Sequence, residues 1–220
     1  LIPQADKFPR YGFYDANGKI SYNISETDKL FITGFFSSDQ LSEPPASKDI
    51  GFDIGWKNST VNMTWTKIYS SQIFTSTSLV YTYYDFKTAM KDKNPTKKDA
   101  LDFFTSSLVN DFQLKTDIQF YLNPSNILQM GAEVTYHNFE VLTSDFYNTQ
   151  LKYSVNPGRS YKALEVSLFA QDEITVFSDL KTNVGMRFYY YNEGKLYGWE
   201  PRVSFTYYAF DRLVLRGSFA

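Results

Sequence analysis

Residues 108–122 read Leu-Val-Asn-Asp-Phe-Gln-Leu-Lys-Thr-Asp-Ile-Gln-Phe-Tyr-Leu, and their alternation decides the fold. Leu108, Phe112, Leu114, Ile118, Phe120 and Leu122 fall on even positions, while Asp111, Gln113, Lys115, Asp117 and Gln119 fall on odd ones. Side chains of a strand point alternately to opposite faces, so this segment has one apolar and one polar face; a helix would repeat every 3.6 residues. Pro124-Ser125-Asn126 then has the composition of a turn. Beyond it Leu128, Met130, Ala132, Val134 and Tyr136 alternate with Gln129, Glu133, Thr135 and His137. Two long strands therefore meet at a tight connection.

The same pattern recurs along the chain. Leu164, Val166, Leu168, Ile174 and Val176 alternate with Glu165, Ser167, Gln171, Glu173 and Thr175, and after Ser178-Asp179 come Leu180, Val184, Met186 and Phe188. The pattern predicts ten strands, at 18–25, 30–38, 49–69, 72–88, 101–123, 127–140, 163–177, 180–192, 199–210 and 212–220. Connections at 26–29, 70–72, 124–126, 178–179 and 211–212 are short, whereas those at 39–48, 89–100, 141–162 and 193–198 are long. Short turns at one end and long loops at the other are expected of an antiparallel up-and-down transmembrane β-barrel. At Asn58-Ser59 the apolar residues change register, from Ile50, Phe52, Ile54 and Trp56 to Val61, Met63 and Trp65. One extra residue in a strand would do that, so a β-bulge is expected there.

Composition narrows the function. The 220 residues are 43% hydrophobic, 19% aromatic and 21% charged, with a net charge of −2. No basic field exists to hold a nucleic acid. The longest unbroken apolar run, Phe188 to Tyr191, is far short of the roughly 18 to 20 residues of a membrane helix. Zero Cys excludes disulfides, thiolate metal sites and cysteine nucleophiles, and a single His, His137, excludes a site built on two imidazoles. No catalytic residue, resident metal or cofactor is expected.

The polar register carries Asp111, Lys115, Asp117, Glu133, Glu165, Glu173, Lys181, Arg187, Arg202 and Arg216. Their signs nearly cancel, which suits the wall of a wet lumen or of a plug-facing surface better than an ion filter. His137 shares this register and reads as a solvated or hydrogen-bonded residue rather than a ligand. Asp172 stands on the apolar register between Ala170 and Ile174. A carboxylate facing lipid is costly, so a bulge or a pairing that turns it inward is expected. In the long connection 141–162, Phe146, Tyr147, Tyr153, Arg159 and Tyr161 are candidates for contact with a solute, because loops on a rigid scaffold commonly carry binding.

Several short motifs in order resemble a known family. They are Phe169-Ala170-Gln171-Asp172-Glu173-Ile174, Asn183-Val184-Gly185-Met186-Arg187-Phe188, Pro201-Arg202-Val203-Ser204-Phe205 and Leu213 to Ala220, preceded by Phe13-Tyr14-Asp15, Lys29-Leu30, Trp65 and Ser70-Ser71. Together they resemble the barrel of TonB-dependent outer-membrane receptors, especially Bacteroidetes-type members. The resemblance implies a barrel of about 22 strands with a plugged lumen, located in the bacterial outer membrane. It implies active uptake of a bulky nutrient such as a siderophore, haem, cobalamin, glycan or peptide. The implied partners are outer-membrane lipid, the receptor's own plug domain, a TonB-type energy-coupling protein reached through the N-terminal part, and a surface lipoprotein in some members. Ten strands cannot close such a barrel, so residues 1–220 are expected to be a section of barrel wall without the plug.

Two other readings fit the alternation. A passive porin-like channel shares the wall but lacks a plug and energy coupling. A soluble β-sandwich binding carbohydrate through exposed aromatics would also alternate, with one face of each sheet buried.

Overall fold

The computed structural model describes residues 8–43, 50–92, 101–148, 153–155, 158–210 and 212–219. Its strands are β1 (Arg10–Asn23), β2 (Asp28–Ser42), β3 (Ile50–Ile68), β4 (Ile73–Asp92), β5 (Leu101–Asn123), β6 (Asn126–Asn148), β7 (Tyr153–Val155), β8 (Arg159–Phe177), β9 (Leu180–Tyr191), β10 (Leu196–Phe210) and β11 (Leu213–Phe219). A short 3-10 turn, Glu193–Lys195, precedes β10. All strands belong to one antiparallel sheet whose order follows the chain, β1 to β6 and then β8 to β11, with β7 paired back onto β6. Apart from β7, which pairs with β6 and not with β8, each strand is hydrogen-bonded to its sequence neighbour, the up-and-down order that alternating turn lengths imply.

The strands outrun their expected ends, chiefly on the long-connection side. The span 141–162 was expected to be loop; instead β6 continues to Asn148, β7 forms, and β8 starts at Arg159. β1 likewise starts at Arg10 rather than 18. Alternation reports a difference in surroundings between the two faces. Where both faces meet water the ladder continues but the pattern fades.

Direct cross-strand partners share a face, so the register sorts every strand. One face carries the rows Met63, Leu79, Leu114, Val134, Val166 and Tyr190, and Val61, Tyr81, Phe112, Tyr136 and Leu164. The other carries Ser78, Lys115, Glu133 and Ser167 and their row-mates. Neither face is covered: among the described residues the one buried apolar side chain is Ala163, while Phe112 and Leu114 are 52% and 51% exposed. A sandwich would bury one face of each of two sheets, and that reading is overturned. A wall with lipid on one side requires such exposure.

No bulge exists at Asn58-Ser59. Ser37 and Phe36 pair with Asn58 and Ser59 across one ladder, and Tyr84 and Tyr83 do so across the other, without a shift. The apolar residues change register because the two faces exchange character. On the Leu114 face the row Ser59, Tyr83, Asn110, Asn138 and Lys162 succeeds the Phe112 row, and Lys57, Asp85 and Glu140 follow. On the Lys115 face, over the same stretch, Ile54, Trp56, Phe86, Val109, Phe139 and Tyr161 replace the polar residues. From Phe112 to Leu122 the apolar stretch of β5 spans about 25 Å at ~3.4 Å per residue and ~40° tilt, the height of a bilayer's apolar band.

Asp172 is not turned inward. It pairs with Leu128 and Val184 in unbroken register and stays on the Leu114 face. It lies near the tight-turn end, where Asn126 donates to one carboxylate oxygen at 3.2 Å. The other oxygen is buried without a hydrogen-bond partner. The cost of a charge falls steeply from mid-depth to the interface, and position along the strand, rather than a bulge, accommodates it.

Candidate functional site

Register brings Asp111, Lys115, Asp117, Glu133, Glu165, Glu173, Lys181, Arg187, Arg202 and Arg216 onto a single face. Many charges there are matched from within the wall. His137 Nδ1 lies 2.9 Å from Asp111 Oδ1, and its Nε2 lies 3.6 Å from Glu165 Oε2. Arg187 sits 3.8 Å from Glu165 and donates to Ser167 Oγ at 3.0 Å. This chain of contacts crosses β5, β6, β8 and β9. Lys115 pairs with Asp117 at 3.3 Å, Arg202 with Glu200 at 2.9 Å, and Gln113 donates to Glu133 at 3.0 Å. Of the two states expected of His137, solvated or hydrogen-bonded, the structure shows the second.

Toward the tight-turn end of the same face lies a groove of about 430 Å³. Phe169 is among its lining residues, and its ring lies over its cross-strand partner Gly131; a Cβ at Gly131 would collide with that ring and meet the Thr116 carbonyl at 2.9 Å. An aromatic ring covering a strand glycine recurs at Tyr189 over Gly198 and Phe205 over Gly217. Gln119, Gln129 and Gln171 also line it, with Gln171 donating to Gln129 at 2.7 Å, as do the charged Lys115, Asp117, Glu133, Arg187 and Arg202. Sequence reasoning singled out the charged members but missed Phe169 and the three glutamines. Their odd positions were visible; that three strands bring them together was not.

At the tight-turn rim Asp28, 9% exposed, collects Ser25 Oγ at 2.8 Å, Thr27 Oγ1 at 2.9 Å, Trp65 Nε1 at 3.2 Å and Lys67 Nζ at 3.1 Å. Hydrogen bonds from Ser25, then Lys67 and Thr27, hold its carboxyl down at about 2. Lys67 also lies over the rings of Trp65 and Tyr69, at 5.7 and 5.3 Å. At the opposite end Tyr11 donates to Asp39 at 2.5 Å, and that bond raises the phenol above its ordinary range.

The five solute-contact candidates are placed on strands, not in a loop. Phe146 and Tyr147 lie in β6 and Tyr153 in β7, and their side chains are outside the described residues. Arg159 and Tyr161 open β8; Arg159 reaches the Tyr161 hydroxyl at 3.5 Å, and Tyr161 stacks on Phe139 at 5.9 Å. Among the described residues no group of three His, Asp or Glu side chains is placed to hold a metal ion.

Comparison with known proteins gives one family: "TonB dependent receptor-like, beta-barrel" matches over residues 3–220. No curated protein matches in sequence. Among solved structures, the RagAB peptide importer in its "closed-closed" state aligns at TM-score 0.66 and 10% identity, over 92% of this chain and 30% of its own. FpvA of P. aeruginosa bound to heterologous pyoverdines aligns at 0.71 and 10%, over 96% and 35%. The ferric citrate transporter FecA, unliganded, aligns at 0.61 and 13%, over 94% and 35%. At these identities the likeness is one of fold. The chain spans about a third of the length of these structures.

Proposed function

Since the chain belongs to the TonB-dependent receptor β-barrel family, we propose that it forms part of the wall of an outer-membrane active transporter that takes up a bulky nutrient. The observation that carries this reading is the exchange of character between the faces at the Ser59 row. A wall facing lipid outside and a wet lumen inside has the observed polarity over bilayer depth, and loses it where the strands rise above the membrane. On this reading Asp111, Lys115, Asp117, Glu133, Glu165, Glu173, Lys181, Arg187, Arg202 and Arg216 line the lumen and meet a plug domain or water. Much of their charge is answered within the wall, so docked groups need only hydrogen-bond to it.

On this reading the inner face is aromatic above the bilayer, carrying Trp56, Phe86, Phe139 and Tyr161. Arg159 and Tyr161, with Phe146, Tyr147 and Tyr153 beyond them, form the rim a solute meets first. Siderophores, haem, cobalamin, glycans and peptides are the candidate cargoes, and a TonB-type coupling protein and a surface lipoprotein are the proposed partners.

Uptake by cells producing the full-length protein tests the reading. Accumulation of the cargo should collapse when proton-motive force is dissipated while surface binding persists. Uptake that survives dissipation would favour the passive, porin-like alternative, which the shared wall leaves in competition.

A further inference from the structure

We infer that the lipid-side face of β1 to β4 is a docking track for a phosphorylated glycolipid of the outer leaflet, its acyl chains below the membrane edge and its anionic sugar headgroup above it. The inference rests on the wall reading, which turns this face toward lipid, and goes beyond it by giving the face a specific occupant.

Three hollows stand in line along these strands. The lowest, about 380 Å³, begins at the Ser59 row and extends into the apolar band, with Phe36, Gly34 and Val61 among its lining residues. A Cβ at Gly34 would meet nothing within 4 Å, so the surface is recessed there. Above the Ser59 row the second, about 200 Å³, is lined by Ser38, Asp39, Lys57, Asp85 and Lys87 among others. The third, about 570 Å³, is lined by Arg10, Glu43, Gly51, Asp53, Ala89 and Lys91 among others. Alternation sets Val61, Lys57, Asp53 and Gly51 on one side of β3, and both ladders of that strand run without a shift. From Val61 to Gly51 the track rises about 26 Å at ~3.4 Å per residue and ~40° tilt.

The charges along the track leave cations to spare. The four carboxylates that line the upper hollows are all engaged: Asp85 by Lys87 at 2.9 Å, Asp53 by Gln40 at 2.9 Å, Asp39 by Tyr11, and Glu43 likewise. Lys57 faces Asp85 directly across the ladder, yet that carboxylate is held by Lys87. Among the described residues Lys57, Arg10 and Lys91 make no ion pair. An apolar hollow, then an unpaired ammonium at the height of the lipid phosphates, then a wider hollow with two more unpaired cations follows the order of parts in a phosphorylated glycolipid. Basic side chains at a membrane edge attract anionic headgroups, and buried methylenes add to the attraction. A zwitterionic lipid with a small headgroup would leave the upper hollow and its cations unmatched. A soluble anion would leave the apolar hollow empty.

The test is native mass spectrometry on the full-length receptor, delipidated in detergent and titrated with deep-rough lipopolysaccharide or, as the zwitterionic control, phosphatidylcholine. The lipopolysaccharide is expected to bind about tenfold more tightly or better. Lys57→Gln and Lys91→Gln are each expected to weaken its binding about fivefold, the worth of one lysine toward an anionic lipid. Gly34→Leu, which fills the lowest hollow with an apolar side chain, is expected to weaken it comparably. Lys195→Gln, in the turn before β10 and off the track, is expected to bind like the parent. Heat-modifiable gel mobility verifies the intact barrel in each variant. The inference is overturned if phosphatidylcholine binds as tightly, if both track-lysine variants bind like the parent, or if Lys195→Gln costs as much as they do. A receptor dimer that added lipid leaves intact and Lys57→Gln breaks would give the face to a second copy and overturn it as well. Uptake that still requires proton-motive force in those cases would leave the transport reading standing and remove this track alone.

Discussion

At the scale of single residues, Asp28 shows how a short polar side chain organises a strand end. Its carboxylate collects two hydroxyls, an indole N–H and an ammonium from Ser25, Thr27, Trp65 and Lys67. These donors stabilise the ionised form and hold the carboxyl at about 2, below the ordinary 3.8. A depressed carboxylate contributes stability that is complete above its unfolded value and disappears as pH falls through the folded one. In the full-length receptor, Asp28→Asn should lower the melting temperature at pH 6, and the gap from the parent should shrink steadily between about pH 4 and pH 2. A gap independent of pH would show that the charge of Asp28 is immaterial. Asp172 illustrates the reverse: its place on the apolar register was legible, but its partner was not, because the register that sets Asn126 opposite Ile174 and within reach of Asp172 is a hydrogen-bond pattern between two strands.

At the scale of the strand, β3 carries the main lesson. Its apolar residues change parity at Asn58-Ser59, and in one dimension an inserted residue and an exchange of surroundings give the same pattern. Only the ladders to β2 and β4 separate them, and both are continuous. β5 gives a direct check on which face meets lipid. Leu114 and Gln113 are adjacent but point to opposite sides, toward Val134 and Thr135. Leu114→Lys should destabilise the folded barrel in lipid by about 2 to 4 kcal/mol, the cost of a cation near the bilayer midplane. Gln113→Lys, on the wet side, should be close to neutral. Equal effects in a denaturant titration would mean that the faces are assigned wrongly.

At the scale of the whole molecule, the proposed wall puts the outer edge of the membrane near the Ser59 row, where the two faces exchange character. On intact cells carrying the full-length protein, Lys57→Cys should react with a membrane-impermeant maleimide, whereas Met63→Cys, three rows deeper into the apolar band, should stay unlabelled. Labelling of both, or neither, would displace the proposed boundary. The sequence by itself determined the class of structure, strands in antiparallel order with two faces of opposite chemistry, because each follows from a period of two and from turn composition; the family was legible only as a resemblance carried by several short motifs in order. The strand ends on the long-connection side, the uninterrupted course of β3, the partners of Asp172 and the groove lined by Phe169 were decided by the tertiary structure. The physical reason is that alternation records only which face a residue occupies. Which residues stand beside it, and at what depth, is set by hydrogen-bond register between strands far apart in the chain.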